Sequence, residues 1–267
     1  MTRVAHPHAE GVRTAMSDRG AVKSHKYLYA IVAGMEDRTY RCCGIDGASV
    51  YIIPDGEVAA VVSDVPSGKI RPERRHLAVH QEVLKRLMQE TTPLPTSFGT
   101  IADDPKAIQK ILSSNREAFL QQLRRVEGKV EMGLRVNWDV PDIFEYFVHT
   151  HPKLRLARDR FLGPHRLPSP GDKIEVGRLF DRVLNEDREA CTERVESILS
   201  GYCFEIKRNR CRNEREVMNL ACLVGREAQE RFEAGVFEAA KLFDNHFAFD
   251  YSGPWAPYSF VELELAV

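Results

Sequence analysis

Between Lys129 and Trp138 apolar and polar positions alternate without a break: Val130, Met132, Leu134, Val136 and Trp138 are separated by Glu131, Gly133, Arg135 and Asn137. A period of two marks a strand with one buried face. The run His246 to Tyr251 repeats the pattern, setting Phe247, Phe249 and Tyr251 on one side. Gly253-Pro254 should end that strand, because it frees one backbone position and removes a donor at the next. Tyr27 to Ala33 and Val217 to Val224 are compact apolar runs closed by glycine, consistent with buried strands; the second reads as a central one. Val50 to Ile53 and Val58 to Val62 flank Pro54-Asp-Gly56 as a hairpin. Tyr202, Phe204 and Ile206 make a short alternating strand, and Gly44 to Gly47 a turn.

Elsewhere the period is helical. From Pro72, the residues His76, His80, Leu84, Leu87 and Met88 share one stripe, which ends before Pro93. Pro93 to Ile101 predicts a short strand running into a loop. Asp103 and Asp104 are cap candidates for one helix from Pro105, with the stripe Ile108, Ile111, Leu112, Phe119, Leu123 and Val126. Pro141 opens a helical segment carrying Ile143, Phe144, Phe147 and Val148. His151 to Pro170 is basic, holds four prolines and reads as partly loop. A long helix is expected over Lys173 to Ser200, stopped by Gly201. Another follows Gly225 to about Asp244, burying Ala228, Phe232, Val236, Ala239 and Phe243.

The order from Lys129 is strand, helices, strand, strand, helix, strand. It matches the split β-α-β unit of ferredoxin-like folds, with an extra helical segment after the first strand. Strand, hairpin, helix, strand and helix precede it. The expected class is therefore α+β with two domains: a small N-terminal domain with a hairpin over 26–127, and a C-terminal ferredoxin-like domain, βαββαβ, over 128–267. Residues 1–25 are polar and read as a disordered leader.

The chain has 267 residues, 43% apolar and 29% charged, with 38 Lys and Arg against 39 Asp and Glu. That balance gives no electrostatic reason to bind nucleic acid or a lipid membrane. No apolar run reaches membrane-spanning length and no signal-peptide core is present, so a cytosolic protein is expected. Cys42, Cys43, Cys191, Cys203, Cys211 and Cys222 form no C-x-x-C pair and read as reduced thiols.

Candidate chemistry is sparse. His76 and His80 lie i, i+4 on one helix face with Glu73 a turn before, but Leu77 breaks the H-E-x-x-H form and no third ligand is evident. His80 reads as a hydrogen-bonded core or rim histidine. His149 and His151 sit where a helix meets Pro152. Asp103-Asp104 and Asp142/Glu145 suit helix N-termini. Phosphate loops, dinucleotide fingerprints and Gly-x-Ser-x-Gly elbows are lacking. Cys203 and Cys211 flank Lys207, Arg208 and Arg210, which could lower a thiol pKa, with His246 a possible neighbour that the sequence does not fix; these cations belong to a basic turn from Lys207 to Arg215. The turn itself reads as a solvated hairpin loop. No catalytic residue, metal site or cofactor is assigned.

Tyr251-Ser-Gly-Pro-Trp-Ala-Pro-Tyr-Ser-Phe260 carries six aromatic or proline rings and reads as a segment folded back over the core. On that reading Trp255→Ala harms stability before partner binding. Together with Tyr27 to Val32, Val58 to Ser63, His80 followed by Val83-Leu84, and Pro93-Leu-Pro-Thr-Ser-Phe-Gly-Thr100, this segment resembles the gas vesicle protein L/F family. The resemblance spans about Lys26 to Leu263. Its motif residues here are His80, Pro95, Phe98, Gly99, Thr100, Tyr251, Gly253, Pro254, Trp255, Pro257, Tyr258 and Phe260. Ala256 stands where another proline is expected, and Thr96 replaces an apolar residue. The resemblance implies a cytosolic, gas vesicle-associated accessory protein without enzymatic activity. Its implied partners are the small hydrophobic gas vesicle shell protein and other gas vesicle accessory proteins. A structural scaffold at the vesicle wall is the alternative, and a ligand-sensing or hydrolytic ferredoxin-like protein using His80 or Cys203 is a third reading.

Overall fold

A computed structural model describes residues 24–34, 39–162 and 167–262. The leader expected over 1–25 lies outside them except at its end, where His25 already begins the first strand. In chain order the elements are β1 (His25–Ala33), β2 (Thr39–Cys43), β3 (Ser49–Asp55), β4 (Val58–Val65), α1 (Arg74–Met88), β5 (Leu94–Pro95) and β6 (Ile101–Ala102). They continue with α2 (Pro105–Ser114), α3 (Arg116–Val126), β7 (Lys129–Trp138), α4 (Ile143–Thr150), α5 (Pro152–Leu162) and α6 (Pro170–Leu199). The last are β8 (Glu205–Arg208), β9 (Glu216–Gly225), α7 (Gln229–Ala240) and β10 (Phe247–Trp255). They build two antiparallel sheets in a mixed α and β fold: β2-β3-β4-β1-β5 with β6 also on β1, and β10-β7-β9-β8.

β1 is buried on both faces, and a bulge changes its phase. Leu28 pairs with Val62 and Ala30 with Val61, so Tyr29 is the extra residue. Tyr27, Tyr29, Ala30 and Val32 consequently face α1, while Leu28 and Ile31 face α2 and α3. In the second sheet the alternating residues of β7 pair across to β9, Val130 with Val224, Met132 with Cys222 and Leu134 with Leu220. This face packs under α4 to α7. Ala221 and Leu223 of β9 point the other way, into the core shared with Leu28, Ile31, Phe119 and Phe260. The two sheets are joined through that core.

Several local expectations change. The helix predicted from Pro105 to Val126 is broken at Asn115, whose side-chain amide donates to the Ile111 carbonyl at 2.8 Å and whose backbone leaves helical geometry. Residues 152–162 form a helix where a loop was expected. Pro152 occupies its first turn, where a missing donor is harmless, and Leu154 is buried. α6 starts at Pro170, ahead of Lys173, because Ser169 and Asp172 cap each other reciprocally. It ends at Leu199 with Ser200 still right-handed, so Gly201 supplies no left-handed cap. β2 is a strand that the apolar pattern did not predict, β8 begins only at Glu205, and α7 ends at Ala240 rather than near Asp244. β10 does not stop at Gly253-Pro254. A bulge between Ser252 and Trp255 absorbs the pair, and Trp255 re-enters the ladder opposite Glu131. Gly253 is needed there: φ is 129°, and a Cβ would lie 2.8 Å from Met132 Sδ and 2.9 Å from Glu131 O.

The rings of the C-terminal segment have divergent environments. Phe260 is fully buried in the shared core, whereas Trp255 keeps 44% and Tyr251 37% of its surface exposed. Phe260→Ala should therefore cost about 3 kcal/mol or more in urea unfolding, and Trp255→Ala about 1 kcal/mol. The exposure of Trp255 makes its contribution to stability the smaller of the two.

Candidate functional site

The Pro93–Thr100 segment serves the β1 bulge. Thr96 donates its hydroxyl to Leu28 O at 2.7 Å and its N–H to Tyr29 O at 3.0 Å, while Thr100 O accepts from Leu28 N. The threonine hydroxyl, at a position expected to be apolar, thus satisfies the Leu28 carbonyl, and its backbone N–H the Tyr29 carbonyl. Pro95 pairs with Ala30 in the sheet. Thr100 closes its own turn through a 2.8 Å bond to Ser97 O. Gly99, at φ 87°, turns the chain so that its N–H reaches Tyr27 Oη at 3.2 Å.

That hydroxyl starts a chain through His80. Tyr27 Oη lies 2.9 Å from His80 Nδ1, and His80 Nε2 lies 2.8 Å from Tyr258 Oη. A neutral imidazole has one N–H and one acceptor nitrogen, so of the two phenols one accepts from the ring and the other donates to it. Phe98, Tyr27 and Tyr29 surround the imidazole with ring centroids 5.6–5.9 Å away. Burial holds His80 down at about 4 and pushes Tyr27 up to about 12, so the network is neutral at pH 7. His76 is its opposite. Its Nδ1 donates to Arg71 O at 2.9 Å and its Nε2 to Asp46 Oδ1 at 3.1 Å, and these acceptors raise its pKa, the Arg71 carbonyl most. The i, i+4 pair is occupied by protein partners on all four nitrogens, and among the described residues no group of three or more His, Cys, Asp or Glu is placed to hold a metal ion.

A second grip lies beyond the tyrosine. Glu131 on β7 accepts Ser259 N at 2.7 Å and Ser259 Oγ at 2.8 Å, fastening the short 3-10 turn Tyr258–Phe260 whose cap is Pro257. Burial raises the Glu131 pKa, against the opposing pull of these two bonds. The fastened segment leaves Gly253–Ala256 standing opposite α1, across a cleft of about 550 Å³. Leu84, Met88, Val130, Pro254, Trp255 and Ala256 provide apolar wall; Glu82, Lys85 and Arg226 provide charge. Trp255 is steadied by an Nε1–H bond to Ser252 Oγ at 3.3 Å. Arg226 donates to Thr91 O at 2.7 Å and Thr92 Oγ1 at 3.1 Å.

The motif residues divide accordingly. His80, Phe98, Gly99 and Tyr258 meet in one network; Gly253, Pro254 and Trp255 line the cleft; Phe260 is core; Tyr251 is outside, bonded to Glu233. Pattern reading missed Glu131 and Ser259, since a polar residue on the outer face of β7 looks solvated until its partner is seen. The cysteines do not converge with His246. Cys203 donates to Leu199 O and hydrogen-bonds Cys222, Cys211 faces Val217 O, and His246 pairs with Asp244.

A family model described as gas vesicle synthesis protein GvpL/GvpF matches residues 25–262. Gas vesicle protein F of Dolichospermum flosaquae is 24% identical over 89% of this chain and 98% of its own. Gas vesicle protein F1 of Halobacterium salinarum is 28% identical, covering 90% and 93%. The crystal structure of the gas vesicle protein GvpF from Anabaena superposes with a TM-score of 0.77 at 22% identity, over 90% of this chain and 99% of that one. The Microcystis aeruginosa GvpF structure gives 0.75 at 21% identity, with the same coverage. At such identities the structures establish the shared fold.

Because His80 is depressed from 6.5 to about 4, the unfolded chain takes up the proton first. The stability tied to neutral His80 is complete above pH 6.5 and is lost as pH falls toward 4. Between pH 7 and 4.5 the wild type should lose about 2 kcal/mol more than His80→Gln, read from urea midpoints at both pH values. Equal losses would mean that His80 is not held neutral.

Proposed function

The chain belongs to the gas vesicle synthesis protein GvpL/GvpF family, and from that membership we propose that it is a cytoplasmic accessory factor that binds the shell protein, or another accessory protein, during vesicle formation. The observation carrying this reading is Trp255. It is held at 44% exposure on the apolar wall of a cleft, by a segment whose Tyr258 and Phe260 rings are anchored. A large indole presented on a rigid support resembles the aromatic anchors that dominate protein interfaces. A shell subunit awaiting polymerisation carries apolar, strand-rich surface that needs covering, and such a cleft offers cover for one side chain or short segment.

The same reading treats the chain as two units, 26–127 and 128–267. The strand order β10-β7-β9-β8, with helices on one face, supports taking the second as ferredoxin-like. The motif residues around His80 then act as frame, not as chemistry, consistent with a binding protein. Among the described residues no helix is long and apolar enough to cross a membrane.

Trp255→Glu should weaken capture of soluble shell protein at least about tenfold while shifting the thermal midpoint by only a few degrees, as expected for loss of an exposed anchor. Undiminished capture by a folded variant would remove the cleft from the account. Retention of the chain on washed vesicles would favour the scaffold reading instead.

A further inference from the structure

The basic turn between β8 and β9 is held far more firmly than a solvated hairpin requires. Arg188 of α6 donates from Nε to Glu216 O at 3.0 Å, and from Nη2 to Asn213 O at 2.8 Å and Glu214 O at 3.1 Å. Its guanidinium lies 5.8 Å over the Trp138 ring. Asn213 Oδ1 accepts from Arg215 N and Glu216 N, and the buried Glu216 carboxylate accepts from Arg212 N. Arg215 reaches across to Val140 O and Pro141 O. Two arginines and an asparagine are thus spent on shaping backbone.

Two cations are left over. Arg210 and Arg212 are exposed, and neither side chain has an acceptor among the described residues. Both stand on a second cleft, of about 630 Å³, between the turn and α6. Phe180 and Leu184 give it an apolar floor, and Asp181 and Glu214 are its carboxylates. With Arg188 included the lining carries one net positive charge, and the arginines that can still accept a ligand are those with no partner. A rigid fork beside an apolar floor suits a carboxylate next to an apolar side chain. A nucleic acid fits less well, because its repeating phosphates would run past Asp181 and Glu214.

We propose that this cleft docks an acidic peptide segment of a partner protein, with its carboxylates on Arg210 and Arg212 and an apolar side chain on Phe180 and Leu184. The Trp255 cleft touches β7 at Val130, whereas the turn lies at the Asn137 end, where Asn137 pairs with Glu216. Seven residues of strand separate these ends by roughly 20 Å. The two clefts can therefore be filled together, which makes the chain an adaptor holding two polypeptides. This site does not depend on the Trp255 reading.

The test uses the full chain and a fluorescein-labelled octapeptide of alternating Glu and Phe, its Gln-for-Glu counterpart, and a labelled single-stranded oligonucleotide, in fluorescence anisotropy at physiological salt. The expected result is saturable binding of the acidic peptide, weakened at least about tenfold by Arg210→Glu with Arg212→Glu. Trp255→Ala should leave that binding unchanged, and the double variant should melt with the wild type because both side chains are exposed and unpaired among the described residues. No binding of the acidic peptide, equal binding of the Gln peptide, undiminished binding by the folded double variant, or tighter binding of the oligonucleotide would each overturn the proposal.

Discussion

The seating of residues 256–260 across both sheets is the constraint on which the remaining architecture depends. Each sheet buries one face under its own helices, and each also has residues pointing toward the other: Leu28 and Ile31 from β1, Ala221 and Leu223 from β9. Phe260 fills the space they share. A buried phenylalanine contributes about 2–3 kcal/mol, and the bonds from His80 to Tyr258 and from Glu131 to Ser259 add about 1 kcal/mol each. The exposed Lys207–Glu262 ion pair just beyond contributes less, since solvent screens it. The anchor is thus apolar first, with hydrogen bonds fixing its register.

Electrostatics on α1 follow from where each histidine points. His76 and His80 are one turn apart, yet one is stabilised as the cation by two oxygen acceptors, and the other is kept neutral by burial between two phenols. Neither has a nitrogen to spare. The same helix therefore fastens the β2–β3 turn through Asp46 and the C-terminal segment through Tyr258. A residue pair that spacing alone presents as a possible metal site is, in three dimensions, two separate clamps.

Much of the fold was legible because local pattern and burial coincide. β7 alternates residue by residue, and β1 and β9 read as continuous apolar runs because both their faces are covered. What stayed hidden depends on partners distant in sequence. The Tyr29 bulge is visible only with Thr96 in place, and the break at Asn115 needs its side chain to prefer the Ile111 carbonyl. Prolines suggested that His151 to Pro170 is partly loop, although Pro152 merely starts a helix. The six rings of the terminal segment look alike in sequence; only packing separates the buried Phe260 from the exposed Trp255. That separation moves the candidate site from the whole segment to one indole and the cleft beside it.

The central claim is that the C-terminal segment couples the two sheets while presenting Trp255. Hydrogen exchange during urea unfolding, comparing the full chain with one ending at Trp255, tests it most directly. The account predicts that the shortened chain loses protection in β1 and β9 together, and that its two sheets then unfold in separate transitions. A single transition at an unchanged midpoint, with protection lost only next to the cut, would contradict it.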